Sequence, residues 1–86
     1  MATGADAPRV VVVVNPGCHL CEDAVAVVDG VCGELGIAWE SVELAAVEDD
    51  ARRTEWREMV PVVLIDGAVH DIFRVDSHQL RAALTA

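Results

Sequence analysis

Cys18-His19-Leu20-Cys21 is the segment of this sequence best equipped for chemistry. Two thiols at this spacing can stand as a dithiol or close into a disulfide, so the pair can exchange two electrons. The motif follows a valine run and the breaker Asn15-Pro16-Gly17, and it opens a stretch of helical periodicity. A strand, a turn and a helix start form the context in which C-x-x-C reads as a redox centre. Cys18 then falls at the helix N-terminus. Unpaired backbone N–H groups and the helix dipole favour a thiolate there, and the thiolate is the attacking form. Cys21 lies one turn further in, more enclosed, and within reach of a mixed disulfide on Cys18.

Other chemistries fit less well. A structural zinc site needs four ligands, and no second C-x-x-C exists. His70 and His78 are too far apart for the H-x3-5-H spacing, so no metal site is expected. His19 has two readings: a hydrogen-bond donor or positive charge beside the thiolate, which would raise the reduction potential, or an exposed residue at a helix start. Leu20 supplies apolar bulk that packs against or shields the disulfide. Cys32 lies about 16 Å from Cys21 along the same helix, beyond the roughly 7 Å a disulfide allows, and reads as a small buried hydrophobe. Arg52, Arg53 and Arg57 read as a solvated helix face paired with Glu48, Asp49, Glu55 and Glu58, with a carboxylate-binding patch as the alternative. Trp39 and Trp56 read as core or rim packing. There is no Gly-rich phosphate loop, no Ser/His/Asp pattern and no paired carboxylates in glycosidase context.

The elements that must position the cysteines follow from periodicity. Residues 9–14 predict a strand whose continuous valines are buried on both faces. Residues from 18 or 19 to about 35 predict a helix, with Leu20, Ala24, Val27, Val28, Val31 and Leu35 on one stripe and Gly33 and Gly36 ending it. Residues 39–44 predict a second strand at an exposed edge, and 49–58 a short polar helix. Val62–Ile65 predicts a third strand, Asp66-Gly67 a two-residue hairpin turn, and 68–73 an antiparallel edge strand. Residues 76–84 predict a closing helix, with Asp76 and Gln79 in a capping-box pattern. The order β-α-β-α-β-β-α describes an α/β fold, a four-stranded mixed sheet flanked by helices on both faces.

Composition sets the bounds. The chain has 86 residues and a mass of 9.2 kDa, one small domain. Residues 1–8 read as a flexible leader and 9–86 as the domain. Hydrophobic residues at 53% and charged residues at 24% exclude a disordered tail. A formal charge of −9 argues against unaided binding to nucleic acid or to an anionic membrane. No apolar run approaches the roughly 20 residues of a membrane span, and the N-terminal residues lack the pattern of a secretory signal. Three cysteines, an odd count, suit a reducing, cytoplasmic compartment.

Gly17-Cys18-His19-Leu20-Cys21-Glu22, then Val60-Pro61-Val62, then Asp66-Gly67, resemble the small bacterial glutaredoxin-like proteins of the thioredoxin superfamily, in the right order over residues 9–84. The resemblance implies a thioredoxin-like fold with sheet order 2-1-3-4. It implies Cys18 as the attacking cysteine, Cys21 as the resolving one, and Pro61 as a cis-proline beside them. Sequence alone leaves that bond open, since only about 5–6% of X-Pro bonds are cis. The backbone of Val60 would pair with an extended substrate, a form of strand addition. Three positions depart from true glutaredoxins: His19-Leu20 stands for their Pro-Tyr, Asn15 for a basic residue, and Phe73-Arg74-Val75 for a Gly-Gly pair. Asp76 can still meet a ligand's amino group.

The implied activity is thiol–disulfide oxidoreduction on a disulfide-containing protein or a small thiol. The protein would work as a monomer served by a partner reductase, with no resident cofactor and with glutathione a poor fit. The alternatives are a metal or iron–sulfur carrier ligating through Cys18 across a dimer, and an inactive thioredoxin-fold binding domain.

Overall fold

The computed structural model describes residues 8–86, so the leader expected at 1–8 lies, except for Pro8, outside the described residues. Seven elements follow in the expected order: β1 (Val10–Val14), α1 (His19–Leu35), β2 (Trp39–Glu43), α2 (Asp50–Trp56), β3 (Val62–Ile65), β4 (Ala68–Ile72) and α3 (Ser77–Thr85). The sheet runs β2-β1-β3-β4. β1 is parallel to β2 and antiparallel to β3, and β4 returns antiparallel to β3. This is the thioredoxin-like α/β arrangement, with β2 and β4 at the edges.

The valines of β1 explain why it lies inside. Val10 and Val12 pack with Val28, Val31 and Cys32 of α1 and with Leu80 and Leu84 of α3. Val13 points to the other face, where it meets Trp56 of α2, Leu44 and Val62. A strand sandwiched between two apolar layers needs apolar residues at every position, not at alternate ones.

Several boundaries differ from expectation. Gly33 does not stop α1; Gly36 does, at φ 69°, with its N–H bonded to the Cys32 carbonyl. A positive φ costs glycine little, which is why the helix ends there. β2 stops at Glu43, and a 3-10 turn over Leu44–Ala46 carries Leu44 into the core. α2 is shorter than expected. Asp49 caps it from outside, accepting the Arg52 N–H at 3.1 Å.

At the β3–β4 turn, Asp66 and Gly67 both take positive φ, 52° and 86°, as a type I′ hairpin requires. Asp66 also binds Arg9 at 3.2 Å. β4 ends at Ile72 after a bulge, and Phe73 leaves the strand at φ 65°. α3 starts at Ser77 with Asp76 as its cap. One Asp76 carboxylate oxygen accepts the N–H groups of His78 and Gln79 at 2.8 and 3.0 Å. None of the described helices is long and apolar enough to cross a membrane.

Candidate active site

Cys18 is the N-cap residue of α1, with extended backbone at φ −96° and ψ 113°. Its carbonyl accepts the Glu22 N–H at 3.1 Å, the first bond of the helix. Its Sγ accepts the Cys21 N–H at 3.2 Å, the position a serine or aspartate oxygen fills in an ordinary cap. The sulfur therefore receives an otherwise orphaned donor of the first helical turn.

Cys21 is 3% exposed, whereas Cys18 is half-buried. Burial, first, and then a side-chain hydrogen bond with Cys18 push the Cys21 thiol from 9.0 up to about 11. The negative charges of Cys18 and Glu22 add to this, and a backbone bond at Asn15 offsets part. Two thiols three residues apart thus occupy opposite environments. All three cysteines are free thiols. Cys32 is fully buried in the core, and burial raises its thiol too.

This asymmetry predicts how stability depends on pH. Unfolded Cys21 releases its proton near 9.0, while the folded protein holds it to about 11. The folded form therefore binds more protons in between. Its advantage is complete below pH 9 and is lost as pH rises toward 11, on the order of 3 kcal/mol, with Cys32 acting in the same direction. Urea unfolding of the reduced protein at pH 8 and pH 10.5 measures it. Cys21→Ala should remove much of the slope; a slope unchanged in that variant would contradict the assignment.

Strand register gathers the other expected residues at the same end of the sheet. Val13 pairs with Val62, so Pro61 lies across from Val14, where the chain turns toward Cys18. Val62 pairs with Ile72, which brings Phe73 to that end as well. The Val60–Pro61 peptide bond is cis, Pro61 is fully buried and Val60 half-buried. The Pro61 carbonyl accepts the Phe73 N–H at 2.9 Å.

Two hollows flank the start of α1. One, of about 360 Å³, opens beside Asn15, Cys18, Cys21 and Glu22. The other, of about 100 Å³, lies between Leu20 and Phe73.

The remaining candidates divide. His19 is exposed, and among the described residues its ring makes no hydrogen bond to Cys18. Asp76 stands exposed at the cap of α3, with one oxygen already accepting two N–H groups. The arginines do not pair as expected. Arg53 binds the Asp50 carboxylate and the Val47 carbonyl, and Arg52 stacks 5.4 Å from the Trp56 ring centroid. Trp56 is core, and Trp39 packs partly buried against the core cluster between α1 and α3. Among the described residues no three His, Cys, Asp or Glu side chains converge as a metal-ligand set. The sequence places Phe73 at the end of the last strand and in the segment that stands for a Gly-Gly pair, with no site role of its own. The signal that it is more is an aromatic at the last position of an edge strand, next to a charged residue and ahead of a helix cap.

A half-exposed cysteine capping a helix, a buried cysteine one turn on and a cis-proline just before the neighbouring strand define a thioredoxin-fold protein with a paired-cysteine centre. More narrowly, the chain belongs to the glutaredoxin-like domain family (DUF836), which matches residues 9–85. Uncharacterized proteins of Mycobacterium tuberculosis and Mycobacterium bovis are 31% identical over 78 residues, covering 87% of this chain and 80% of theirs. The X-ray structure of the structural-genomics protein XcR50 from X. campestris superposes with a TM-score of 0.68 at 26% identity, covering 88% of this chain and 95% of that one. Fasciola hepatica thioredoxin shares the fold, with a TM-score of 0.55 at 18% identity over 88% of this chain and 76% of its own.

Proposed function

We propose that the protein is a thiol–disulfide oxidoreductase that reduces or exchanges disulfides through Cys18 and Cys21. The observation that carries this reading is the Cys21 N–H held on the Cys18 sulfur at the start of α1, with the Cys21 thiol buried and kept neutral. The Cys18 thiolate attacks one sulfur of a substrate disulfide. That S–S bond breaks, the leaving sulfur departs as a thiolate and takes a proton from solvent, and a mixed disulfide remains on Cys18. Cys21 then gives up its proton and attacks the Cys18 sulfur, expelling the second substrate thiolate. The product is reduced substrate and a Cys18–Cys21 disulfide. A dithiol-bearing protein reductase restores both thiols with two electrons.

The timing follows from the causes of the Cys21 shift. Two of them, the hydrogen bond with Cys18 and the Cys18 charge, exist only while Cys18 is free. Both vanish in the mixed disulfide, so Cys21 loses its proton more readily at the stage where it must attack. The free, buried Cys32 also fits a reducing, cytoplasmic setting.

The test is a redox titration of the pair in buffers of graded thiol–disulfide ratio. A reversible two-electron transition, with an intramolecular disulfide in the oxidised form, is expected. A pair that never closes would overturn the reading. His19→Ala should move the midpoint by well under 30 mV, the shift that corresponds to roughly 1.4 kcal/mol, because the ring is exposed. A larger shift would place the imidazole against the thiolate in solution.

A further inference from the structure

Phe73 combines two features that rarely meet. Its backbone sits at φ 65°, a region glycine enters freely and a bulky side chain avoids. It is also 43% exposed, so its ring gains little from the core in return. The position is held from both sides. The Phe73 N–H donates to the Pro61 carbonyl at 2.9 Å, and the Arg74 N–H donates to the Ile72 carbonyl at 2.8 Å, closing a three-residue turn of the strained, positive-φ kind. Strain kept by surrounding structure at one end of a sheet points to use at a site.

Phe73 lines the 100 Å³ hollow, and Leu20, from inside the cysteine motif, lies in the same lining. That volume equals roughly three waters, the room of one aliphatic side chain. Ala24, Val27 and Val75 add apolar atoms, while Asp23 and Arg74 bring polar ones to its rim.

Charge narrows the occupant further. Asp23 lines the hollow, Glu22 precedes it and Asp76 follows Val75, while Arg74 offsets one of these. The whole protein carries −9.

We propose that Phe73 and Leu20 form a selectivity pocket that seats a bulky apolar residue next to the reactive cysteine of a protein substrate. The carboxylates around that pocket select segments that are basic. This rests on the disulfide-exchange reading above and names its substrate class: disulfide proteins with an apolar side chain beside the cysteine, on a cationic surface. The pocket is tied to Pro61 through one backbone hydrogen bond, so it is fixed relative to the strand a substrate would extend along.

The experiment reads only the first exchange, in the Cys21→Ser protein. Three peptides carry a cysteine in mixed disulfide with thionitrobenzoate, flanked by Leu and Lys, by Gly and Lys, or by Leu and Glu. The Cys18 thiolate attacks the peptide sulfur, a Cys18–peptide disulfide forms, and coloured thionitrobenzoate leaves with the electron pair. The Leu/Lys peptide should react about tenfold faster than Gly/Lys. It should also react about tenfold faster than Leu/Glu at low salt, a gap that narrows as salt rises. Adding Phe73→Gly, which suits the backbone, should bring the Leu:Gly ratio near one and keep the Lys:Glu ratio. Asp23→Asn should lower the Lys:Glu ratio alone. Ratios taken within one variant cancel any change in Cys18 reactivity. Equal Leu:Gly ratios with and without the Phe73 ring would overturn the pocket while the exchange reading stood. No thionitrobenzoate release from any peptide, nor from the parent aromatic disulfide reagent, would overturn both.

Discussion

Replacing Cys18 with serine is expected to abolish disulfide reduction, while replacing Cys21 with serine is expected to turn the protein into a trap for its substrates. The two outcomes follow from where the sulfurs sit. Only Cys18 is both accessible and supplied with a backbone donor, so its loss removes the nucleophile, a defect of roughly a thousandfold or more. The fold should survive, because serine is a stronger helix cap than cysteine and the Cys21 N–H would bond its hydroxyl. Loss of Cys21 leaves the first attack intact and removes the group that ends it. Mixed disulfides should then accumulate one to one with Cys18, visible as a mass increase that a reducing agent reverses. Turnover retained by Cys18→Ser, or a trap formed on Cys21 in that variant, would reverse the assignment.

The legible parts of the fold were those fixed by neighbours in sequence. Asp66-Gly67 specifies its own turn, since both residues tolerate positive φ, and the hairpin register follows. The valine run of β1 announces burial on both faces because no polar residue interrupts it. Cys18 at a helix start was legible from the breaker before it and the apolar stripe after it.

What was misread depends on distant partners. Gly33 and Gly36 look alike in sequence, but only Gly36 lies where the chain must turn toward β2. Leu44 would continue β2 by propensity, yet the second core, around Trp56, draws it into a 3-10 turn. Phe73 has strong strand preference. Its hydrogen bond to Pro61, 12 residues away in sequence, holds it outside the strand. The cis bond at Pro61 had no local signal, and only the resemblance pointed to it. Of the arginines of α2, Arg53 does find a carboxylate one turn back, but it is Asp50 rather than one of the expected partners, while the Val47 carbonyl and Trp56 engage Arg53 and Arg52 as well.

That competition bears on the reductant. Glutathione is anionic, and its capture needs cations and an accessible backbone near Cys18. Arg53 is engaged with Asp50 and Val47, and Arg52 lies over Trp56. Asn15, on the rim of the larger hollow, brings no charge. Where a Gly-Gly pair would leave the backbone open, the Phe73 ring stands instead, 43% exposed. The Asp76 oxygen that caps α3 is already occupied by two N–H groups. Against a field of −9 these terms leave little to hold a tripeptide carrying carboxylates. An extended protein segment depends less on charge, because the Val60 backbone can supply its hydrogen bonds by strand addition. Turnover driven by glutathione alone is therefore expected to be at least about tenfold slower than turnover driven by a dithiol protein reductase at equal thiol concentration. Part of that deficit should close as salt screens the repulsion. Coupled assays at low and high ionic strength measure both effects. Efficient, saturable deglutathionylation at millimolar glutathione, abolished by Arg53→Ala or Arg57→Ala, would show that the arginines in and just after α2 bind the ligand, and the protein reductase would lose its place in the cycle.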